Sequence, residues 1–319
     1  MKRKQLLSAI VAAVMMLVLL TPALTVKASG DIPIDAAHFP DEYFRAYIMG
    51  YDLNKDGVLS QAERDAVTKI DPGRNIWDFE SVVGIEYFTN LEDLNFSFGR
   101  FTSIDLSSNT KLKKLDISEA KITALDLSKN TALTDLNVRL CATPDLDISM
   151  LSKLTFLDIS ENPGHVNFNS ANHPLLTEFF CDSNKLEAFD VSSMTALETL
   201  SLVKNKLTAL DVTKLTNLKQ LYISYNPITE IDLSGQTEAF ERFWFDNAAF
   251  TSMDLSAFPL LKNEGTGLEP AVKHTGNQYP IKKVEGTLTV TGARILADPD
   301  TTPDEPLYHY WVKDVPFSV

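Results

Sequence analysis

The sequence predicts an α/β protein, a solenoid whose parallel β-sheet is built from short repeated turns. Three observations carry this prediction. A phrase of the form Leu-x-x-Leu-x-Leu-x-x-Asn-x-Leu recurs in register from Leu91 to Leu261. A helical pattern containing an acidic, glycine-bearing loop precedes the phrase, and the periodicity stops after Lys262. We therefore expect a signal peptide at 1–28, a helical cap at 29–80, a solenoid at 81–262 and a β-rich C-terminal segment at 263–319.

The repeat defines the core of the solenoid. Its copies are 21 or 22 residues apart. Because side chains alternate along a strand, the second and third leucines of each copy point to one face, which stacked turns bury as a continuous core. This phrase and period are typical of a right-handed leucine-rich repeat with its sheet on the concave face. The copies begin at Leu91, Leu112, Leu133, Leu154, Leu176, Leu197, Leu218 and Phe240, with a truncated ninth at Leu261.

The polar position of the repeat predicts a ladder of buried amides. Each asparagine lies where the chain leaves a strand inside the stack, so its side chain must pair with backbone groups. The ladder comprises Asn162, Asn184, Asn205 and Asn226, with Cys141 in the same position one turn earlier. Cys141 and Cys181 are the only cysteines. Two turns place them roughly 10 Å apart, too far for a disulfide, so we expect two buried free thiols.

A second column of polar residues follows on the return side of each repeat, where an aspartate precedes an apolar residue and then a serine or threonine, as in Asp105-Leu106-Ser107. These aspartates are expected to bond backbone amides at a tight bend rather than to form a metal ladder. The short period leaves room only for extended or 3₁₀ segments on the convex side. Residues 162–174 interrupt the pattern, either as a tolerated surface insertion or as a functional bulge.

The first 28 residues have the features of a secretory signal peptide. Three basic residues precede an apolar run from Leu6 to Leu20, and Val26-Lys27-Ala28 provides a small-residue cleavage site. A membrane anchor is the alternative interpretation. Cleavage removes four of 29 basic residues and none of the 43 acidic ones, so the mature chain carries 25 − 43 = −18 charges. This balance argues against nucleic acid and anionic lipid as partners, and the expected location is secreted or cell-surface.

A calcium site is predicted in the cap. The segment from Asp52 to Glu63 fits Asp-x-[Asp/Asn]-x-[Asp/Asn]-Gly-x5-Glu, and a helix is expected from Ser60 to about Lys69. Calcium prefers six to eight oxygen ligands. The alternative is an ordinary turn followed by a helix whose Ser60 and Glu63 form only a capping box. The predicted ligands are Asp52, Asn54, Asp56, the Val58 carbonyl, Ser60 and Glu63.

This loop and its flanking helices resemble an EF-hand, and the single copy distinguishes it from the duplicated loops of dockerins. Directly before a leucine-rich-repeat array, it is similar to the N-terminal cap of internalin-like bacterial surface proteins. The resemblance covers residues from about Asp31 to Lys262. It implies noncatalytic adhesion or protein binding outside the cell.

The sequence offers no catalytic motif. Its five histidines are scattered, and it contains no Gly-x-Ser-x-Gly, His-Glu-x-x-His, phosphate-binding loop or dinucleotide fingerprint. It also contains no Leu-Pro-x-Thr-Gly sorting motif. The expected protein is therefore not an enzyme, has no catalytic residues and is a monomer that binds other molecules.

The concave face is the predicted binding surface, because the residues that flank the buried leucines point outward there. Its N-terminal half is acidic and its C-terminal half is aromatic. Exposed aromatic residues on a rigid sheet are typical of binding hot spots, although they can also simply cover neighbouring strands. The expected partner is an extracellular protein; the alternatives are a glycan bound by the same aromatic residues, or a partner module that docks on the helices of the calcium loop. The candidate residues are Phe156, Phe180, Tyr222, Tyr225, Arg242 and Trp244.

Overall fold

The computed structural model describes residues 30–141, 146–162, 168–237 and 239–245, and the backbone of four later strands. Strands β1 (Ile32–Pro33) and β2 (Val58–Leu59) pair antiparallel in the cap. Of the later strands, β12 (Ser252–Asp254) pairs parallel with β13 (Thr289–Thr291), and β14 (Arg294–Ala297) pairs antiparallel with β15 (Tyr308–Trp311). The proposed signal peptide and the truncated ninth repeat lie outside the described residues.

A nine-stranded parallel sheet forms the body of the molecule, and its strands follow one another in chain order. Each strand after the first has at its centre the second apolar residue of one repeat, and this residue is buried, as the alternation of side chains requires. It is leucine in six of these strands and phenylalanine in the other two, as Phe179 and Phe243. The prediction of a leucine-rich-repeat solenoid is therefore confirmed. The strands are Lys69–Ile70 (β3), Asp93–Asn95 (β4), Lys114–Asp116 (β5), Asp135–Asn137 (β6), Phe156–Asp158 (β7), Glu178–Phe180 (β8), Thr199–Ser201 (β9), Gln220–Tyr222 (β10) and Arg242–Trp244 (β11).

The predicted asparagine ladder is present. The Asn205 side chain donates to the carbonyls of Cys181 and Leu202, both at 2.9 Å, and its Oδ1 accepts the backbone N–H of Asn184 at 3.1 Å. Asn162 repeats this pattern in its own turn. Asn226 donates in the same way, but its Oδ1 accepts the backbone N–H of Leu207. Cys141 and Cys181 are buried free thiols, as expected.

A second polar ladder lies on the convex side, and the sequence analysis did not identify it. Asn109 donates to the carbonyls of Ile85 (3.1 Å) and Phe88 (2.9 Å) in the preceding turn. Asn130 donates in the same way to the carbonyls of Leu106 and Asn109. In later turns the equivalent position holds Leu151, His173, Met194, Leu215 and Gln236. Where the residue at this position is polar, its side chain connects neighbouring turns by hydrogen bonds. Where the residue is apolar, its side chain packs in the hydrophobic core.

The aspartates of the return side cap backbone amides, as predicted. Asp105 accepts the N–H of Ser107 at 2.9 Å, and the same bond recurs at Asp126, Asp147, Asp190, Asp211 and Asp232. Hydrogen bonds from the following serine or threonine lower the pKa of each carboxyl. The described convex segments are turns with short 3₁₀ helices at Ile85–Tyr87 and Ser170–Asn172, as the short period requires.

The cap contains two short helices, α1 (Glu42–Ile48) and α2 (Gln61–Ala66). Helix α2 is shorter than predicted, because Lys69–Ile70 does not continue it but forms β3 and opens the large sheet. The rings of Phe44 and Phe96, from the cap and the first repeat, lie 6.1 Å apart. The cap therefore covers the N-terminal end of the leucine core, as the terminal turn of a solenoid requires. Among the described residues, no helix is both long and apolar enough to span a membrane.

Candidate binding surface

The concave face presents the residues on either side of the buried central residue of each strand. Phe156 on β7 and Phe180 on β8 have ring centroids 5.8 Å apart. Tyr222 on β10 and Trp244 on β11 are register partners with ring centroids 5.6 Å apart in an edge-to-face arrangement. Four predicted binding residues thus form two aromatic pairs.

Strand β9 separates the two pairs, because it carries Thr199 and Ser201 instead of aromatic residues. In register, Ser201 lies between Phe180 and Tyr222. The surface therefore consists of two aromatic pairs on either side of a strand that carries small hydroxyl residues. The sequence itself indicates this interruption, since Ser201 stands at the position in its repeat that Phe180 and Tyr222 occupy in theirs.

The remaining candidates adjoin the second pair. Arg242 is the register partner of Gln220, which accepts a 2.7 Å hydrogen bond from the Tyr222 hydroxyl. Burial raises the pKa of Tyr222, and the neighbouring Arg242 guanidinium partly offsets this effect. Tyr225 lies beyond the strand, in a left-handed conformation with φ of 59°. The sequence also predicts a polar rim of Asp182, Lys204 and Asp246 around the aromatic residues. Asp182 and Lys204 are partly exposed, and Asp246 lies outside the described residues.

Ion pairs cross the N-terminal half of the face. Lys69 contacts Asp93 at 3.0 Å, and Lys114 contacts Asp135 at 3.3 Å. Arg139 lies between two glutamates, one turn away on either side, and pairs with both, Glu119 at 3.0 Å and Glu161. The sequence analysis missed this bridge, although the spacings of 20 and 22 residues between Arg139 and the glutamates indicate neighbouring turns.

Three aspartates lie in or just after strands β5, β7 and β8, and we name them the acidic row: Asp116, Asp158 and Asp182. Asp116 and Asp158 occupy the same register position two strands apart, and Asp182 lies two residues beyond the end of β8. Asp116 accepts hydrogen bonds from the N–H and hydroxyl of Ser118 and from the Asn137 amide. Asp182 accepts from the Ser201 hydroxyl at 2.7 Å and the Val203 N–H at 2.8 Å. Burial raises the pKa of Asp182 to about 7, because the charges of Asp158 and Glu161 add to the desolvation and outweigh these hydrogen bonds.

The candidate calcium loop is closed by its own hydrogen bonds. Asp52 accepts the N–H of Gly57 at 2.9 Å, and Asp56 accepts that of Val58 at 3.0 Å. Gly57 has φ of +81°, a left-handed conformation that glycine adopts without steric cost. Strand β2, which follows directly, anchors the loop to β1. The loop backbone thus adopts the sharp turn that the motif predicts.

Glu63, the last predicted calcium ligand, also forms hydrogen bonds within the cap. Its Oε1 accepts the N–H of Leu53 at 2.8 Å, and its Oε2 accepts the N–H and hydroxyl of Ser60 in a capping box. Burial opposes ionisation of Glu63, but the hydrogen bonds from Ser60, Leu53 and Asn54 prevail and lower its pKa. The capping box that the sequence offered as the alternative is therefore present.

The donor set of the loop has the chemistry of a calcium site, since its six predicted ligands all offer oxygen. The carboxylates of the loop accept hydrogen bonds from backbone amides. Among the described residues, no three His, Cys, Asp or Glu side chains are grouped so that they could hold a metal ion. Calcium would need the Glu63 carboxylate to exchange its bonds to Leu53 and Ser60 for the cation. Calcium binding at these residues stays a prediction.

Comparisons with known proteins agree with the fold. A model for leucine-rich repeats (two copies) matches residues 195–235. An internalin (InlF) from Listeria monocytogenes has a similar structure, with 26% identity over 74% of this chain and 76% of that chain, and a TM-score of 0.53. The functional domain of InlJ from the same organism is 24% identical over 74% of this chain and 71% of that chain, with a TM-score of 0.45. Comparison with curated proteins returned no significant match.

These observations define the general class of the protein. The chain folds as a leucine-rich-repeat solenoid whose parallel strands match those of leucine-rich-repeat structures. Its structural neighbours include an internalin. This fold is typically a non-enzymatic scaffold, and it suggests a role in binding protein partners.

Proposed function

We propose that this protein is a noncatalytic extracellular binding protein that recognises a protein partner on the concave face of its repeats. The observation that carries the proposal is the pair of aromatic contacts, Phe156 with Phe180 and Tyr222 with Trp244, on adjacent strands of one sheet. The hydrogen-bonded sheet holds these rings in place, so little conformational entropy is lost when a partner covers them. Aromatic clusters of this kind dominate the energy of protein interfaces.

The extracellular location rests on the signal peptide expected at residues 1–28. The same location supports a structural role for calcium in the cap, because extracellular calcium is millimolar and a weak loop would be filled.

Glycan binding is the second candidate, because the same rings can stack on the apolar face of a sugar. A third candidate is assembly through the cap. This role is favoured by the exposed side chains of Tyr43, Met49 and Leu53, which are 54%, 59% and 76% exposed, on and beside the helix before the loop. The second candidate predicts a glycan ligand instead of a protein. The third predicts that substitutions in the cap, and not on the concave face, weaken binding.

A binding screen with matched variants tests the proposal. Candidate host and neighbour proteins are immobilised beside a glycan array and probed with wild type, Tyr222→Ala and Trp244→Ala. Tyr43→Ala and Trp77→Ala are the controls, because they remove the same residue types from exposed positions of the cap. We expect protein hits that the concave variants weaken by about 2 kcal/mol, roughly thirtyfold, and that the controls leave unchanged.

Other outcomes would overturn parts of this proposal. Glycan hits that are lost in Trp244→Ala, without protein hits, would favour the second candidate. Binding that is lost in Tyr43→Ala alone would favour the cap. Binding that survives all four substitutions but is lost on changes in residues 264–319 would place recognition in the C-terminal segment.

A further inference from the structure

The last strand of the large sheet indicates how the partner binds, an inference that rests on the proposed function. We propose that the partner adds an extended segment to the outer edge of β11 as a tenth parallel strand. This segment carries an aspartate or glutamate beside Arg242, an apolar residue beside Phe243 and an aromatic residue beside Trp244. The partner is thus a protein that presents a short strand with an acidic, an apolar and an aromatic residue in succession.

The first argument is the open backbone of β11. The N–H of Arg242 donates to the Lys219 carbonyl at 3.0 Å. The Trp244 carbonyl accepts the N–H of Ile223 at 2.8 Å, so both strand residues turn their backbone groups toward β10. Because these groups alternate in direction along a strand, those of Phe243 point to the other side, where no strand that the structure describes pairs with β11. An open strand edge is a template for an extended segment of another chain.

The chain's own ninth repeat copy does not match this edge. It begins at Leu261, which would place Glu264 at the centre of its strand. The eight strands β4 to β11 all have a buried leucine or phenylalanine at that position. A carboxylate there would lose its water against Phe243, which is unfavourable without a compensating partner. The later strands β12 to β15 pair with one another instead.

The second argument is the charge pattern of the sheet. At the first position of the strands, a basic residue twice pairs with an acidic one on the following strand: Lys69 with Asp93 at 3.0 Å, and Lys114 with Asp135 at 3.3 Å. Arg242 is the last residue of this column, and within the described part of the chain it forms no ion pair. A tenth strand with a carboxylate at its first position would repeat the pattern, and a guanidinium suits a carboxylate well.

The neighbouring carboxylates have other partners. Glu198, which directly precedes β9, pairs with Lys219 at 2.7 Å. Glu241, which directly precedes β11, accepts a hydrogen bond from the Gln220 amide at 3.3 Å. The Arg242 guanidinium is partly exposed beside the Tyr222 hydroxyl, so a carboxylate of the partner can reach it.

The remaining two positions follow from the same register. The rings of Tyr222 and Trp244 lie edge to face, and an aromatic residue on the next strand would extend this column beside Trp244. Phe243 is 5% exposed, whereas the central residues of β4 to β10 are at most 1% exposed. An apolar residue beside Phe243 would complete its burial, which the hydrophobic effect favours.

A second copy of this chain does not have the required chemistry. Its strand at the opposite edge of the large sheet is β3, whose first residue is Lys69. Stacked in register on β11, Lys69 would lie beside Arg242, and like charges at facing positions of neighbouring strands repel each other.

A peptide selection tests this proposal and does not require the natural partner to be identified. A random heptapeptide library displayed on phage is selected on the immobilised full chain. Synthetic copies of the enriched peptides are then measured on wild type, Arg242→Glu and the control Arg100→Glu. The control reverses the same charge at an exposed position beyond β4. Thermal melting confirms that both variants are folded.

We expect the enriched peptides to share an acidic, an apolar and an aromatic residue in succession. Arg242→Glu should bind them about tenfold more weakly than wild type, because it replaces an attraction by a repulsion, and Arg100→Glu should bind them equally well. Replacement of the acidic peptide residue by lysine should restore binding to Arg242→Glu.

Methylation of the peptide backbone distinguishes strand pairing from side-chain contact alone. On a tenth strand, the N–H groups of the acidic and the aromatic residue point toward β11, as those of Arg242 and Trp244 point toward β10. The N–H of the apolar residue between them points away. N-methylation of either outer residue should therefore weaken binding by about tenfold, whereas N-methylation of the middle residue should not.

The results separate this inference from the proposed function. Peptides that bind Arg242→Glu as wild type, or that tolerate N-methylation at all three positions, overturn the inference, and if Tyr222→Ala weakens them, the proposed function stands. Peptides that need Arg242 and the two outer N–H groups but not Tyr222 retain the inference and remove the aromatic pair from the proposed function. A selection that enriches no sequence counts against both.

Discussion

The Sγ atom of Cys141 lies 2.9 Å from the carbonyl oxygen of Ile117, and donates its hydrogen bond there. Asn162, one turn later, donates its amide to Val138, the residue equivalent to Ile117, at 3.0 Å. Burial raises the pKa of Cys141 to about 12, so the thiol stays protonated and able to donate. The cysteine thus substitutes for the amide of the ladder with one weaker hydrogen bond, because a thiol is a weak donor and lacks the amide oxygen.

We therefore predict that Cys141→Asn stabilises the protein. The new amide would keep the bond to the Ile117 carbonyl and would add an oxygen acceptor, as Asn162 provides to the backbone N–H of Cys141. The expected gain in the free energy of unfolding is about 1 kcal/mol, measured by urea denaturation. The control Asn162→Ala should lose about 2 kcal/mol or more, because it leaves buried backbone groups without partners. A large loss in Cys141→Asn would show that this turn cannot accommodate the amide.

The calcium prediction is tested by Glu63→Gln. Glutamine can replace glutamate in a capping box, so the substitution retains the cap and removes the charge that calcium needs. With a dissociation constant of roughly 10⁻⁴ M and about 2 mM calcium, the ion should stabilise wild type by about 1.8 kcal/mol. We expect calcium to raise the melting temperature of wild type and of the control Glu42→Gln, but not that of Glu63→Gln. Identical wild-type melting curves in calcium and in chelator would leave Glu63 with its hydrogen bonds to Ser60 and Leu53 and no role in calcium binding.

His173 provides a prediction about acid stability. Its Nδ1 donates to the Leu151 carbonyl at 3.3 Å, whereas its Nε2 is buried without a hydrogen-bond partner in the described part of the chain. Burial lowers the pKa of His173, so the unfolded chain takes up its proton first as the pH falls below about 6.5. Stability from this residue is present above that pH and is lost on acidification.

We therefore expect His173→Leu, a residue that neighbouring turns accept at this position, to reduce the loss of stability between pH 7 and pH 5. The control Met194→Leu changes the same position one turn later without a titrating group. Urea unfolding at several pH values measures the difference. Equal pH dependence in wild type and His173→Leu would contradict this account.

The sequence predicted the features of the fold that recur in every turn. The buried leucines, the amide ladder and the aspartate caps each place one residue type at one position, so the period reveals them. The convex ladder was missed because its position holds different residues in successive turns, such as Asn130, Leu151 and His173. The bridge from Arg139 to two glutamates occurs once, and an interaction without repetition leaves no periodic signal.

The backbone after each third leucine was also not predicted. Phe98, Glu119, Leu140 and Glu161 all have positive φ between 54° and 64°. Bulky residues rarely adopt this conformation, so local propensity gives no indication of it. Stacking imposes it instead: the N–H groups of Phe98 and Leu140 donate to the carbonyls of Ser118 and Ser160 in the following turn. The tertiary contact outweighs the preference of the individual residue.

Asp182 of the acidic row is expected to change the stability of the protein with pH in the direction opposite to His173. The folded chain raises the pKa of Asp182 to about 7 from an ordinary value near 3.8, because burial and the facing charges of Asp158 and Glu161 disfavour its ionised form. The associated stability is complete below about pH 3.8 and is lost as the pH rises to about 7. Asp182→Asn should therefore be more stable than wild type at pH 8, by on the order of 2 kcal/mol, and equal to it near pH 4.

The control for this prediction is Asp190→Asn, in which hydrogen bonds from Ser192 lower the pKa of the native carboxyl. Because the folded state favours the ionised form of Asp190, this substitution should not stabilise the protein at pH 8. Urea unfolding of both variants from pH 4 to pH 8 measures the effect, since the amide oxygen introduced by Asp182→Asn can still accept from Ser201 and Val203. If Asp182→Asn lowers stability at pH 8, the ionised carboxylate is stabilised within the folded chain, which would contradict this account.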